Sequence, residues 1–213
     1  MSSSAYRPAD ERDSLTMGWI EPVSLHGRHV RLEPLSPAHD AGLRAAVADG
    51  ELWRLWYTNI PDPDGMPAEI ERRLALQAQG SMLPFTVLDA ANTIVGMTTF
   101  MNIDATHHRV EIGSTWYRKS VQRTALNTEC KLLLLRHAFQ TLECIAVEFR
   151  THFFNAPSRR AIERLGAKFD GVLRNHQRDR HGLMRDTCVY SIIDAEWPVV
   201  RHNMEWQLAQ RNR

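Results

Sequence analysis

Residues 110–139 read VEIGSTWYRKSVQRTALNTECKLLLLRHAF, and two changes of rhythm inside this stretch decide the fold. From Val110 to Tyr117, Ile112 and its β-branched and aromatic neighbours favour an extended chain. Arg118–Asn127 is a short polar segment rich in hydrogen-bond donors. Thr128–Phe139 predicts a helix, because Leu126, Cys130, Leu133, Leu134 and Ala138 recur at helical spacing. A strand, a polar turn and a helix in succession leave free backbone N–H groups pointing out of the helix start, and the helix dipole makes that place attractive to an anion. The stretch is therefore a candidate phosphate cradle. An ordinary β–α corner has the same spacing, so the pattern alone leaves both open.

Upstream, Phe85–Leu88 and Thr93–Ile103 predict two strands joined by a turn at Asp89–Asn92, an antiparallel hairpin connected to Val110 through a second turn at His107-His108. Further back, residues 29–35 (HVRLEPL) alternate apolar and charged side chains as a strand with one wet face does. Ser36-Pro37 starts a helix, Ala41–Asp49, which Gly50 stops. A second helical piece near Glu51 leads into Trp53, Trp56 and Tyr57, and Pro67–Gln79 predicts another helix. Downstream, Glu143–Phe149, Lys168–Leu173 and Thr187–Ile193 predict strands. A short helix, Pro157–Leu165, lies between Asn155 and Gly166; Arg174–Asp186 reads as a charged loop and Glu196–Gln210 as a terminal helix. The order gives an α+β fold with a central mixed, largely antiparallel sheet flanked by helices. The strand after Phe139 is expected to lie parallel to the one before the helix.

At 213 residues the chain suits one well-buried domain, and 43% hydrophobic with 24% charged residues is a globular composition. A net charge of +1 argues against a nucleic-acid partner recognised through a global field. No apolar run is long enough to cross a bilayer and the first residues lack an apolar signal core, so no membrane partner and a cytoplasmic location are expected. Cys130, Cys144 and Cys188 form no C-x-x-C pair and sit in apolar segments, as small core residues do. The histidines show no metal-ligand spacing, so no metal is expected. Residues 1–18 predict a mobile N-terminal tail, 19–199 the folded domain and 200–213 a C-terminal helical tail, whose Trp206 suits a homodimer contact.

Three segments in order, GRHVRLEPLSPAHDAGL, EIGSTWYRKSVQRTALNTECKLLLLRHAF and NAPSRRAIERLGAKFDGVLRNH with RDTCVYSIIDAEWP, resemble the GNAT acetyltransferases, in particular the RimJ/RimL-like branch, over Val23–Val199. The superfamily's pyrophosphate motif is Arg or Gln, two residues, Gly, one residue, then Gly or Ala. Gln122-Arg123-Thr124-Ala125-Leu126-Asn127 stands in its place, with Ala125 and Asn127 at the two small positions. Ala125 keeps the first of them small, and Asn127 brings an amide of its own.

What the resemblance implies is transfer of an acetyl group from acetyl-CoA directly to a primary amine, a protein N-terminus or a small amino compound. The coenzyme would lie along Thr115, Trp116 and Tyr117, be gripped by Gln122–Asn127 and meet Asn155 and Ser158, with a backbone N–H near Thr115 or Trp116 holding the oxyanion. Arg118, Lys119 and Arg123 are candidates for its 3′-phosphate. The candidates for the general base are Glu111 and His176, with a water-relayed proton path as the alternative, since the glutamate that relatives carry after the short helix is replaced here by Gln177. Asn155 and Ser158, in an N-x-x-S pattern before a helix, are candidates to assist the departing thiolate, with helix capping as the other duty of Asn155. Trp56 and Tyr57 would wall the acceptor groove, whereas Trp53 suits helix packing. A non-catalytic acyl-CoA-binding module, or a transferase of longer acyl groups, would carry the same motifs.

Overall fold

The computed structural model describes residues 19–211; the tail expected over residues 1–18 lies outside them. Strands β1 (Leu25–His26), β2 (Val30–Pro34), β3 (Met82–Asp89), β4 (Ile94–Asp104), β5 (Arg109–Tyr117), β6 (Ala146–His152), β7 (Lys168–Arg178) and β8 (Met184–Ile193) form one sheet in the order β1-β2-β3-β4-β5-β6-β8-β7. Every neighbouring pair is antiparallel except β5 and β6. The helices are α1 (Asp40–Ala48), α2 (Met66–Ala78), α3 (Leu126–Gln140), α4 (Ala156–Leu165) and α5 (Trp197–Arg211).

Both faces of the sheet centre are covered. Leu43, Ala46 and Val47 of α1 and Met66 and Ile70 of α2 pack with Met97 and Trp116 on one side. Leu126, Cys130, Leu134 and Ala138 of α3 pack with Phe85, Phe100, Ile112 and Tyr117 on the other. Strand β3 is accordingly buried at Met82–Leu88, which explains why its sequence runs without alternation. Trp197, Val200, Met204 and Leu208 of α5 join the α3 side of the core, so this helix is a layer of the fold rather than an appendage.

The charged segment 174–186 corrects the expectation of a loop. Strand β7 continues to Arg178 and β8 begins at Met184, the turn between them being closed by Asp179, which accepts from the N–H groups of His181 (2.8 Å) and Leu183 (2.9 Å). As the sheet edge, β7 is wet along most of its length, so no apolar alternation marks it. The segment near Glu51 is a single 3-10 turn, Leu52–Arg54.

Two irregularities make room for a ligand. Strands β5 and β6 pair only through Arg109, Val110 and Glu111 against Ala146, Val147 and Glu148; beyond Glu111 the two run on to Tyr117 and His152 without pairing each other. Between β4 and β5 the register slips where Met97 faces Trp116 but Thr99 faces Gly113, and Ser114 takes a left-handed φ of 48°. This bulge kinks β5 and turns part of its backbone out of the ladder. At its upper end Gly96 lies so close to β5 that a Cβ there would meet the Trp116 carbonyl oxygen at 2.1 Å.

Candidate active site

The parted strands open a cleft of about 1080 Å³. It is bordered by β5 and β6, by the first turns of α3 and α4, and by the end of the β7–β8 hairpin.

At one end lies the start of α3. The N-cap residue, Ala125, offers no side-chain cap to this helix; the Thr124 hydroxyl accepts from the Leu126 N–H at 3.3 Å while donating to the Val121 carbonyl at 2.7 Å. Arg123, with φ 63°, turns the chain into the helix, and Gln122 ties the turn to the strand end by donating from Nε2 to the Tyr117 carbonyl at 3.0 Å. Gln122, Arg123, Thr124 and Asn127 border the cleft. Ala125 and Leu126 do not: they border a shallow neighbouring hollow with His29 and Ala91, and Leu126 is a core side chain. Sequence spacing placed all six together because it follows the chain, whereas a helix start shows only some of its residues to one side.

Across the cleft, Asn155 accepts from the Ser158 N–H at 3.2 Å and so caps α4. Ser158 reaches the cleft, and its hydroxyl makes no hydrogen bond among the described residues. Along β5 the side chains alternate. Trp116 is buried against α1 and α2 and Tyr117 against α3, so the two residues border the cleft while packing in the core on opposite faces of the sheet. Thr115 points to α3, where Lys131 Nζ donates to Thr115 Oγ1 (2.7 Å) and Thr98 Oγ1 (3.1 Å). Burial draws the Lys131 pKa down to about 8. Nothing in the spacing of α3 had marked this lysine, which falls on a helix face otherwise filled by leucines.

The other end is dominated by Glu111, the last residue of β5 paired with β6. It is 5% exposed; Asn102 Nδ2 donates to its Oε2 at 2.6 Å and Arg150 Nε stands 3.5 Å away. Burial raises its pKa above the ordinary carboxylate value, with Asn102 and Arg150 opposing. Asn102 reaches it from a left-handed turn (φ 47°) at a second register slip of β4. His176 also borders the cleft, its Nδ1 sharing a hydrogen with Thr187 Oγ1 at 3.1 Å. Tyr57 lines the opening, but Trp56 does not: it stands 44% exposed beside it, its ring against Tyr57 (5.6 Å), His152 (5.1 Å) and Phe154 (5.9 Å). His152 and Arg150 on β6, Arg73 on α2 and Arg185 on β8 complete this end and were not singled out from the sequence. Arg73 is buried, held by Glu69 (2.7 Å) and donating to Thr99 Oγ1 (2.7 Å) and the Ser114 carbonyl (3.3 Å), so it braces the bulge.

All three cysteines are free and buried, and burial raises their thiol pKa values, that of Cys144 to about 12. None is a nucleophile for this cleft.

Residues 29–168 match the acetyltransferase (GNAT) domain family. The chain belongs to the GNAT acetyltransferase family. A GCN5-related N-acetyltransferase from Brucella melitensis is 33% identical, covers 89% of this chain and 86% of its own, and superimposes with a TM-score of 0.77. The same GNAT fold is shared with Mycobacterium smegmatis RimJ in complex with CoA-disulfide (20% identity, TM-score 0.75, covering 87% of this chain and 95% of RimJ). It is shared also with RimL, a ribosomal L7/L12 α-N-protein acetyltransferase (16% identity, TM-score 0.72, covering 83% and 97%). A search of curated proteins gives no match. Among the described residues no helix is long and apolar enough to cross a membrane.

Proposed function

We propose that this GNAT protein transfers the acetyl group of acetyl-CoA directly to a primary amine. The observation that carries the proposal is a single cleft joining an uncapped helix start, a kinked strand and a buried, basic carboxylate. The first suits the pyrophosphate, the second a thioester, the third an amine.

In this arrangement the N–H groups of the first turn of α3, with the side chains of Arg123 and Asn127, hold the pyrophosphate. The arm of the coenzyme lies in the gap between β5 and β6, where β5 beyond Glu111 has no partner on that side and accepts it as an added strand. The bulge at Ser114 turns backbone N–H toward the thioester oxygen, and one such donor contributes roughly 3 kcal/mol to the transition state. Lys131, charged below its pKa of about 8 and bonded to Thr115, sets a positive charge behind the same peptide. RimJ, of the same fold, is known with a coenzyme A disulfide bound, which supports the coenzyme assignment.

Glu111 is the base. Its raised pKa makes it a better proton acceptor than an exposed carboxylate, and it sits at the apex where the strands separate. An α-amino group, with a reference pKa of about 8, needs only such a mild base. His176 lies further along the same wall, held by Thr187. The Ser158 hydroxyl, free of other bonds, faces the place where the thiolate departs. The C–S bond of the thioester breaks and a C–N bond forms. The ammonium form of the acceptor gives up two protons, one to Glu111 before attack and one, relayed by the Ser158 hydroxyl, to the departing thiolate, so coenzyme A leaves as thiol and Glu111 returns its proton to solvent.

Isothermal titration with acetyl-CoA followed by thiol release over an amine panel tests this. Saturable binding and turnover on at least one amine are expected. Binding with turnover on none would make the protein a carrier-binding module, and no binding would remove the proposal altogether.

A further inference from the structure

Four guanidinium groups stand around the acceptor end of the cleft, and three of them are engaged. Arg72 forms a two-point pair with Glu69 (2.7 and 2.9 Å), Arg73 is held by Glu69, Thr99 and Ser114, and Arg150 by Glu148 (3.1 and 2.8 Å) and Glu111. Arg185 differs. It borders the same cleft from the start of β8, yet its Nε is shut off from solvent without a hydrogen-bond partner, and no carboxylate lies within ion-pair distance of it among the described residues. It interacts with Glu111 only through space, as does its guanidinium charge with His152. Its two terminal nitrogens also have no hydrogen-bond partner among the described residues and, unlike Nε, are not shut off from solvent, so they are the part of the guanidinium that an acceptor in the cleft can reach.

The cleft thus presents a carboxylate, Glu111, and an unanswered guanidinium, Arg185, near each other but not in contact. That is the complement of a molecule carrying a positive nitrogen and a negative oxygen a few bonds apart. The planar fork of arginine matches a carboxylate through two parallel N–H bonds, which fixes the orientation of the ligand as well as its affinity.

We infer that Arg185 binds a carboxylate of the acceptor, and that the preferred acceptor is an amine with a carboxylate a few bonds from its nitrogen, the nitrogen lying toward Glu111. This deepens, and rests on, the amine-transfer reading above. Two sources present this chemistry: a free amino acid through its α-carboxylate, or a polypeptide whose first residue is Asp or Glu through its side chain.

The test compares matched acceptors that differ in one group: free amino acids with their amides, and short peptides beginning with Asp or Glu with those beginning with Asn or Gln. Thiol release gives kcat/KM for wild type, Arg185→Gln and Arg185→Lys, and titration with acetyl-CoA shows that each variant retains its coenzyme site. In wild type the carboxylate-bearing member of at least one pair is expected to be better by about tenfold or more, through KM. Arg185→Gln brings that ratio close to one, while Arg185→Lys, with charge but no fork, restores part of it. A preference in the amino-acid pairs identifies the α-carboxylate, and one in the peptide pairs the side chain. Equal rates within every pair in wild type, or an unchanged ratio in Arg185→Gln, would overturn the inference and leave acetyl transfer standing. If no amine turns over, calorimetric binding of the same pairs to the coenzyme A complex decides it by the same ratio.

Discussion

Two buried charges show how single residues set the chemistry. Burial raises the pKa of Glu111, so its ionised form is destabilised in the fold, and folding stability falls as pH rises from the ordinary carboxylate value through the raised one. The same shift makes it a base. Activity is expected to fall as pH drops through that raised pKa, giving kcat/KM an acid limb above the usual carboxylate range. Glu111→Gln is expected to remove the limb and lower kcat by about 100-fold with acetyl-CoA affinity kept, as measured by a pH–rate profile and titration. A surviving limb would move the base to another group, with His176 next in line. Lys131 is the opposite case, its pKa drawn down to about 8 by burial. Between about pH 8 and 10.5 the unfolded chain holds the proton that the native state has lost, so stability rises with pH in that window by on the order of 3 kcal/mol. Lys131→Met should flatten this rise and raise the unfolding midpoint at pH 7, since Thr98 and Thr115 remain hydrogen-bonded to each other at 2.8 Å. If its charge supports the thioester site, kcat falls about tenfold in the same variant even as stability improves. Denaturant melts at pH 7 and 9.5, with parallel turnover assays, check both.

At the scale of elements, the β5–α3 unit was readable because a strand and a helix are each periodic and the change of period is abrupt. The start of α3 stood out for the same reason. What the spacing did not reveal was which face of that start is open: Asn127 borders the cleft while Leu126, one residue before it, is locked in the core. A negative charge at the open position discriminates a cradle from a plain corner. Asn127→Glu is expected to weaken coenzyme A binding at least tenfold by setting like charge against the pyrophosphate, and less so as ionic strength rises. Dephospho-coenzyme A should lose affinity to the same degree, because the pyrophosphate and not the 3′-phosphate is opposed. Titrations at two salt concentrations with both carriers measure this, and unchanged affinity would move the phosphates elsewhere.

For the whole molecule, the α+β class and the mixed sheet followed from the order of elements, but the cleft did not. It exists because two strands stop pairing after Glu111, a relation between segments that neither sequence discloses. Arg73, Lys131, Arg150 and Arg185 come from four different elements and converge only when the sheet assembles, so no local spacing links them. The charged end of the β7–β8 hairpin, residues 174–186, reads as a loop in the sequence because the edge strand β7, wet along most of its length, loses the alternation by which buried strands announce themselves. The last helix is bound into this assembly as well. Met204, fully buried on α5, joins the apolar cluster that backs α3, and α3 in turn offers its far end to the cleft. Met204→Ala is expected to lower unfolding free energy by about 2–5 kcal/mol through the cavity it leaves. Saturating coenzyme A stabilises only the folded form, by an amount set by its concentration over Kd. The ligand-induced increment in unfolding free energy should therefore be equal in wild type and Met204→Ala if α5 merely supports the core. A smaller increment in the variant would show that packing behind α3 also holds its first turn in the shape that grips phosphate; denaturant unfolding with and without coenzyme A distinguishes the two.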